Sequence, residues 1–435
     1  MLKPLTLTLT SALALALAAP AAAKILPGKG GAKNVRVVGH HDLAARTAYQ
    51  PTIRKQGDRW IAYVGHHGGR MVNPLTGKEE ENGTSILDVT DPKKPKLLHH
   101  IPGELGRVVP GRETGGAQMT RVCDGATLPK GDKSKVYLLH TFGEAANETW
   151  DVTNPEKPVR LAVIPGFRST HKNEWECDTG VAYLPGSGDD KVWRASRVTH
   201  IYDLSDPANP KKIREFALTE QKADQTGYNP GQIHGPISTG PQGNRVFFGY
   251  GTNARGVGQI VDRKKLLEGS AEPTPENLRY PEVGRIMLPD FMGAHTTFPL
   301  YDVEVPNFRA DTKGRKRNFV VVVNENNVTV CAEHRQMVVF FDVTDEARPM
   351  GVSTYDVKET DDDFCKHGGR FGAHASHENT TPIFHKRLMF FSWFNAGMRV
   401  VDVRDPYNPK EVGYFIAPVT KLTDKRCADE VKNTD

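Results

Sequence analysis

The sequence predicts an all-β protein, a β-propeller with four-stranded blades. Three observations predict this fold: a short phrase recurs six times, other strand-like segments accompany each copy, and no long stretch has helical periodicity. The phrase is an apolar or aromatic strand that ends in Asp, followed in four copies by a turn with Asp-Pro or Asn-Pro. The copies lie at 84–92, 148–155, 200–207, 258–263, 339–345 and 399–406.

Each copy of the phrase is flanked by further predicted strands. The upstream segments are rich in β-branched and aromatic residues and are bounded by Gly, Asn and Asp, as strands usually are. These segments are 60–65, 135–140, 191–195, 245–250, 319–324 and 388–394. A strand also follows the Asp-closed turn, and another segment precedes the upstream strand, so each repeat predicts about four strands. Residues 264–269 predict a single helical turn.

The number of blades is predicted to be seven, although six repeats are clear. The segment 34–65 would complete the seventh blade by pairing with the C-terminal strands. The alternative is that the chain lacks its final strands, since it ends soon after Cys427. The Asp of each repeat is expected to cap its turn by accepting backbone N–H groups rather than to act in catalysis.

The composition indicates an ordinary soluble domain that does not bind nucleic acid. Charged residues make up 25% of the chain and the formal net charge is only +5, with no basic run interleaved with aromatic residues. Residues 1–23 resemble a signal peptide with a small-residue cleavage region, and residues 24–435 are expected to form one propeller domain. No later segment is apolar enough to be transmembrane. We therefore expect a periplasmic or secreted protein.

All five cysteines follow the predicted signal peptide, and export makes disulfides plausible. Proximity along the chain favours the pairs Cys123–Cys177 and Cys331–Cys365, although sequence does not determine connectivity. Cys427 is left without a predicted partner.

Histidines recur at equivalent places in the repeats. Five of the six repeats open with a segment that carries His, and in the second repeat Gln118 takes that place. A second series lies at the end of the following strand, where later repeats have Arg197, Asn253, Asn324 and Asn395. Because blades are related by rotation, equivalent positions form rings around the central channel. The candidate metal ligands are His41, His66, His67, His140, His171, His234, His295 and His374.

Several imidazoles around one channel favour a transition metal. Imidazole suits Cu, Zn, Fe and Ni, and in an exported protein copper is our first expectation, with zinc or another transition metal as the alternative. Any single histidine is more often structural than a ligand, and we treat His99, His100, His200, His334, His367 and His385 as structural. Acidic residues near the histidines are expected to be mostly solvated, with a partner or general-base role as the alternative; they are Glu113, Glu174, Glu176 and Glu378.

The repeated phrases at 86–95 and 399–409 resemble LVIVD repeats of exported bacterial proteins, and the His-rich segments at 65–70, 170–180 and 293–299 resemble a branch of that family. The resemblance implies a propeller over nearly all of the chain after the signal peptide. A looser likeness to methanethiol oxidase and thiocyanate dehydrogenase implies a copper-dependent oxidoreductase that acts on a small, sulfur-containing molecule. The alternative is a non-catalytic propeller that serves as a scaffold for a protein or surface partner.

Overall fold

The fold is a six-bladed β-propeller. The computed structural model describes residues 30–104, 115–312, 314–329 and 331–418. These residues form six antiparallel sheets in which four consecutive strands pair in order, apart from one small hairpin inserted in the first sheet. The first strands of several neighbouring blades contact each other, which places the first strand of each blade next to the central axis.

The blades follow one another along the chain. Blade 1 contains Tyr49–Gln56, Arg59–Gly65, Thr84–Asp88 and Lys96–Ile101. Blade 2 contains Thr120–Asp124, Val136–Phe142, Ala146–Asp151 and Val159–Pro165. Blade 3 contains Glu174–Trp175, Val181–Gly186, Val198–Asp203 and Lys211–Phe216. Blade 4 contains Ile233–Ser238, Arg245–Tyr250, Val257–Asp262 and Glu282–Met287. Blade 5 contains Thr296–Glu304, Lys316–Val323, Val338–Asp342 and Met350–Tyr355. Blade 6 contains Gly372–Ser376, Leu388–Phe394, Gly397–Asp402 and Lys410–Ile416.

The remaining elements are short. The inserted hairpin of blade 1 consists of Arg70–Val72 and Glu79–Glu81. The α-helices are Gly240–Gly243, Arg263–Glu268 and Pro275–Arg279, and the second of these confirms the helical turn predicted at 264–269. The 3-10 helices are Leu43–Ala45, Thr219–Gln221, Asn307–Arg309, Glu359–Asp361 and Phe364–Lys366.

Two details of the sequence-based prediction are corrected. The described residues form six blades, and the segment expected to complete a seventh instead supplies the first two strands of blade 1. Instead Gly31–Lys33, which precedes that segment, pairs with Lys410–Ile416 as a fifth strand on the outer edge of blade 6. In blade 3 the second strand is Val181–Gly186, and 191–195 lies in the loop that follows it. The signal-peptide prediction and Cys427 lie outside the described residues.

The core consists of layers between adjacent blades. In the second strand of blade 5, Phe319, Val321 and Val323 pack towards blade 6, whereas Val320 and Val322 pack towards blade 4. Alternate side chains of a strand point to opposite faces, so a strand between two other sheets buries both faces. This double burial explains why 319–323 is uninterrupted Phe and Val rather than an alternating pattern.

The recurring Asp has the predicted capping role. In blade 1 the Asp88 carboxylate accepts the backbone N–H of Thr90, which closes the turn after the third strand. Four other repeats have the same hydrogen bond from the second residue after the Asp; the acceptors are Asp151, Asp203, Asp342 and Asp402. In the remaining repeat Asp262 accepts the backbone N–H of Lys265 and caps the helix Arg263–Glu268. The repeat signature therefore specifies turns and does not carry the chemistry.

Both predicted disulfides are present. Cys123–Cys177 joins the inner-strand regions of blades 2 and 3. Cys331–Cys365 joins a loop of blade 5 to the connection that leads into blade 6. Within the described ranges, no helix has the length and apolar character needed to cross a membrane.

Candidate metal centre at the mouth of the central channel

The innermost strands carry four histidines to the axis. His234 and His374 lie within the first strands of blades 4 and 6, His295 directly precedes that of blade 5, and His171 lies just before that of blade 3. The strand register shifts at both His234 and His374, between Ile233 and Gly235 and between Ala373 and Ala375. Such bulges bend a strand and redirect a side chain. The local irregularity therefore contributes to the convergence of the rings.

These four imidazoles form a continuous row, which we call the histidine cluster: His171, His234, His295 and His374. His171 Nε2 lies 2.9 Å from His234 Nε2. The ring centroids of His234 and His295 are 3.7 Å apart, and those of His295 and His374 are 5.0 Å apart. The sequence-based prediction that the repeat openings converge is thus met by four of its members.

A carboxylate faces the cluster. Glu325 Oε2 lies 3.8 Å from His234 Nε2 and 4.0 Å from His295 Nε2. Glu325 Oε1 lies 3.8 Å from His374 Nε2. The donor atoms of His234, His295 and Glu325 all lie within 4.8 Å of one another, and all three residues are buried. One acid and several imidazoles therefore share a small volume.

The charge state of the imidazoles in the histidine cluster suits metal binding. Burial, followed by the charges of Arg197 and Lys172, lowers the pKa of His171 well below its usual value. Burial likewise lowers the pKa of His234 and His295, and it lowers that of His374 to about 3. The rings are therefore neutral near pH 7, and a neutral imidazole has a nitrogen lone pair available for a metal.

The distances fit a common ion. Ligand atoms about 2.0 to 2.2 Å from one metal lie at most about 4.4 Å apart, so the Glu325 distances to His234 and His295 are compatible with shared coordination. The 2.9 Å between His171 Nε2 and His234 Nε2 is near the roughly 2.8 to 3.0 Å expected for two nitrogens at right angles in a tetragonal site. The buried His295 Nε2 has no hydrogen-bond partner in the part of the chain described, which leaves it available.

His67 and Tyr49 border the cluster. The Tyr49 ring centroid lies 5.0 Å from that of His67, 6.2 Å from that of His374 and 6.3 Å from that of His171. His67 is therefore a neighbour of the cluster, one aromatic ring away from two of its members. Gln118 occupies the place predicted for it in the second repeat, where its Oε1 lies 2.7 Å from His171 Nδ1.

Three of the eight candidate ligands lie elsewhere. His66 Nδ1 donates to the Thr47 carbonyl, and its Nε2 lies 2.7 Å from Ser85 Oγ. His66 and His67 are consecutive in extended chain and point to opposite sides, so only His67 reaches the channel mouth. Both nitrogens of His66 are engaged, and burial lowers its pKa to about 3.

His140 and His41 also have local partners. His140 Nδ1 lies 2.9 Å from Thr84 Oγ1, and its Nε2 lies 3.0 Å from Glu148 Oε2. His140 lies inside its strand rather than beyond its end, so it faces the layer between blades 1 and 2. His41 Nδ1 accepts the backbone N–H of Leu43 in the segment before blade 1.

Several residues of the site were not among the candidates. Glu325 directly follows Asn324, which was aligned with the second histidine series, and a shift of one residue reverses the side chain's direction. Arg370 Nη1 lies 3.7 Å from Glu325 Oε1. Arg197 is buried, and its positive charge lowers the pKa of His171, His234 and His295, after burial as the main cause. The polar second series was the signal that could have identified this part of the site.

A network of charged side chains lies further along the inner strands. Lys172 Nζ donates to Glu378 Oε1, and Arg121 Nη2 donates to Glu378 Oε2 at 2.8 Å. Arg121 Nε lies 3.0 Å from Glu174 Oε2. Glu174 and Glu378 had been expected to be mostly solvated, but their side chains are only 19% and 5% exposed and are paired with cations. Glu176, for which we had the same expectation, is buried and forms an ion pair with Arg263.

The pKa values of the two acids in this network are shifted in opposite directions. Burial raises the pKa of Glu174 to about 7, despite the opposing charge of Arg121. Burial would also raise the pKa of Glu378, but Lys172 and Arg121 lower it to about 2. A cavity of about 920 Å³ between blades 1 and 6 reaches both acids as well as Tyr49 and His374. Its apolar lining includes Ile53, Trp60, Phe384, Phe390 and Met398.

Comparisons with known proteins add little to this geometry. No protein-family model matches the chain, and no curated protein matches it. One similar solved structure, from Bacteroides fragilis NCTC 9343, is provisionally described as a 6-phosphogluconolactonase. It is 8% identical, with 85% of this chain and 84% of that chain covered and a TM-score of 0.47. A similarity this weak carries no information about the activity of the present chain.

Proposed function

We propose that the protein is an exported, metal-binding β-propeller whose histidine cluster holds copper. The observation that carries the proposal is the convergence of His234, His295 and Glu325, with all donor atoms within 4.8 Å of one another. His171 extends the nitrogen donors, since its Nε2 lies 2.9 Å from that of His234. A nitrogen-rich, partly carboxylate site favours Cu, Zn, Fe or Ni over Ca or Mg.

We further propose a copper-dependent oxidoreductase that acts on a small molecule. The cavity that reaches His374 and Tyr49 is large enough for a small organic compound. When bound, copper would supply redox and Lewis-acid chemistry. The protein's own part would be to hold the imidazoles neutral and to exclude bulk water from the buried cluster. The likeness of its repeats to the LVIVD family supports export, as does the presence of two disulfides.

Metal content tests the proposal. The protein would be exported to the periplasm of the expression host with copper and zinc present, then purified and assayed by elemental mass spectrometry. We expect stoichiometric copper in the wild type and its loss in the His234→Ala/His295→Ala double variant. The exposed His334→Ala variant is the matched control and should keep its copper. Metal content that is substoichiometric and unchanged in the double variant would contradict the proposal.

Turnover is a separate question. Copper-loaded protein would be screened with small thiols and other oxidisable sulfur compounds, with dioxygen or an artificial electron acceptor as oxidant. We expect turnover that requires copper and is lost in the double variant. Sequencing of the N-terminus of the periplasmic protein tests the predicted cleavage after Ala23.

The second candidate function is a non-catalytic scaffold. The observation that favours it is the His171–His234 contact at 2.9 Å, which is itself a satisfactory hydrogen bond without any ion. In that case the histidine cluster is a structural network, and the protein presents its loops to a protein or surface partner. Absence of bound metal, together with lower stability of the double variant, would favour this candidate.

A further inference from the structure

We infer that Arg197 forms an anion-binding site beside the histidine cluster and that the protein takes a compact oxyanion there. Arg197 immediately precedes the third strand of blade 3, at the same mouth of the channel as the cluster. Its guanidinium charge acts on His171, His234 and His295. The anion site itself is inferred from Arg197 alone. Only its role as a substrate site rests on the proposed function.

The state of Arg197 is unusual for a buried cation. Its residue exposure is only 7%, yet it forms no hydrogen bond and no ion pair with any residue that the structure describes. Buried charges are normally paired, because desolvation of an isolated ion is costly. Burial lowers the pKa of Arg197 to about 10, so the guanidinium is still protonated at pH 7. An anionic ligand would satisfy it.

The other cations around the channel already have acidic partners. Lys172 and Arg121 share Glu378, and Arg121 also pairs with Glu174. Glu325 lies at 3.7 Å from Arg370, besides its three histidine neighbours. The acids that act most strongly on Arg197 are Glu325 and Glu144, and neither forms an ion pair with it. The positive charge of Arg197 is therefore the one in this region that the described chain leaves for a ligand.

The chemistry of the side chain indicates the class of anion. A guanidinium is a planar fork of N–H donors that matches the two oxygens of a carboxylate or similar oxyanion. Because Arg197 is only 7% exposed, a compact ion is favoured over a bulky one. Such an ion would lie near the proposed metal either as substrate or as a co-ligand, and both uses share the same recognition by Arg197.

Titration with labelled formate tests this site. Formate is the smallest carboxylate, and formamide is its neutral counterpart. Metal-free, desalted protein would be titrated with 13C-formate at constant ionic strength and followed by NMR. We expect saturable formate binding, no formamide binding, and at least about tenfold weaker formate binding in Arg197→Gln, with a smaller loss in Arg197→Lys. The control is Arg168→Gln, an exposed arginine of the same region, which should bind formate as the wild type does.

Formate affinity that is equal in the wild type and Arg197→Gln would overturn the inference. If Arg197→Gln does not fold, wild-type crystals soaked in bromide provide an independent test. An anomalous peak at the Arg197 guanidinium supports the site, and a clear map without such a peak overturns it.

Copper content of the same proteins separates the two proposals. Arg197-dependent formate binding in a protein that holds no copper would leave the anion site intact and reject the metal. Full copper loading with no Arg197-dependent formate binding would support the metal site and reject the anion site. Competition by formate against turnover in the copper-loaded protein supports the substrate role, and formate binding that leaves turnover unchanged overturns that role.

Discussion

Lys172 and Glu378 form a buried ion pair that joins blade 3 to blade 6. The two blades are not neighbours in the ring, so the contact spans the central channel. The side-chain exposures are 1% for Lys172 and 5% for Glu378, and Arg121 of blade 2 binds the same carboxylate. Three blades are thus held together at the axis by charges rather than by apolar packing.

Glu378→Gln should destabilise the protein strongly. The substitution leaves Lys172 and Arg121 buried opposite a neutral amide, and loss of one partner of a buried pair costs about 3 to 5 kcal/mol. Urea unfolding of metal-free protein measures the effect. The control is Glu268→Gln, which removes an exposed helical pair with Lys264 and should cost less than about 1 kcal/mol.

The effect of Glu378→Gln should also depend on pH. The pKa of Glu378 is lower in the folded protein than in the unfolded chain, so its ionised form contributes stability above the unfolded pKa. That contribution is lost as the pH falls from about 4.5 towards about 2. A difference between wild type and variant that stays constant over this range would contradict the assigned ion pair.

Glu174→Gln should stabilise the protein at neutral pH. The folded pKa of Glu174 is raised to about 7 from 4.5, so the folded state holds a proton that the unfolded chain releases. Stability from this group therefore falls as the pH rises between these values. The gain of the variant over the wild type should grow from pH 4.5 to pH 7, reaching on the order of 2 to 3 kcal/mol. Equal pH profiles of unfolding for the two proteins would show that Glu174 titrates normally.

Variants of the histidines should fall into two classes. His66→Ala and His140→Ala remove residues whose nitrogens already have protein partners, so each should lower stability by about 1 to 3 kcal/mol and leave bound copper unchanged. His234→Ala should instead lower copper content, because it removes a donor of the proposed site. Elemental analysis and urea unfolding of the same samples distinguish the classes. Copper loss in His66→Ala would show that the site extends further than the histidine cluster.

Removal of either disulfide should cost about 4 kcal/mol by the chain-entropy estimate. The loops that they close span 54 residues for Cys123–Cys177 and 34 residues for Cys331–Cys365, so the two costs should be similar. Paired Cys→Ser variants, compared by urea unfolding, measure them. A cost near zero for one pair would mean that its blades are held together by packing alone.

Much of the fold could be predicted from the sequence because the repeat encodes local structure. The Asp-closed turns, five of the six second strands and both disulfides were predicted correctly. The number of blades was predicted incorrectly. The strand segments indicate what each repeat contains, but they do not indicate which strands pair where the ring closes. The second strand of blade 3 was missed because Val181–Gly186 contains Pro185 and Gly186, whereas the nearby 191–195 has a more strand-like composition.

The site was predictable in part. Residues at the openings of the inner strands share one position relative to the axis, so His171, His234, His295 and His374 came together as expected. The ends of the second strands were less predictable, because a displacement of one residue turns a side chain from the channel to the sheet face. For this reason His67 lies beside the histidine cluster whereas His66 points away from it. For the same reason Glu325, rather than Asn324, faces the cluster.

The pairing of Gly31–Lys33 with Lys410–Ile416 has a consequence for synthesis of the chain. The first strand of the described structure pairs with the last one, so the outer edge of blade 6 can be completed only after all six blades have been synthesised. Until then Gly31–Lys33 is an unpaired strand, and unpaired strand edges are prone to association with other chains. Completion of the outer edge of blade 6 is therefore a late event in the folding of the described structure.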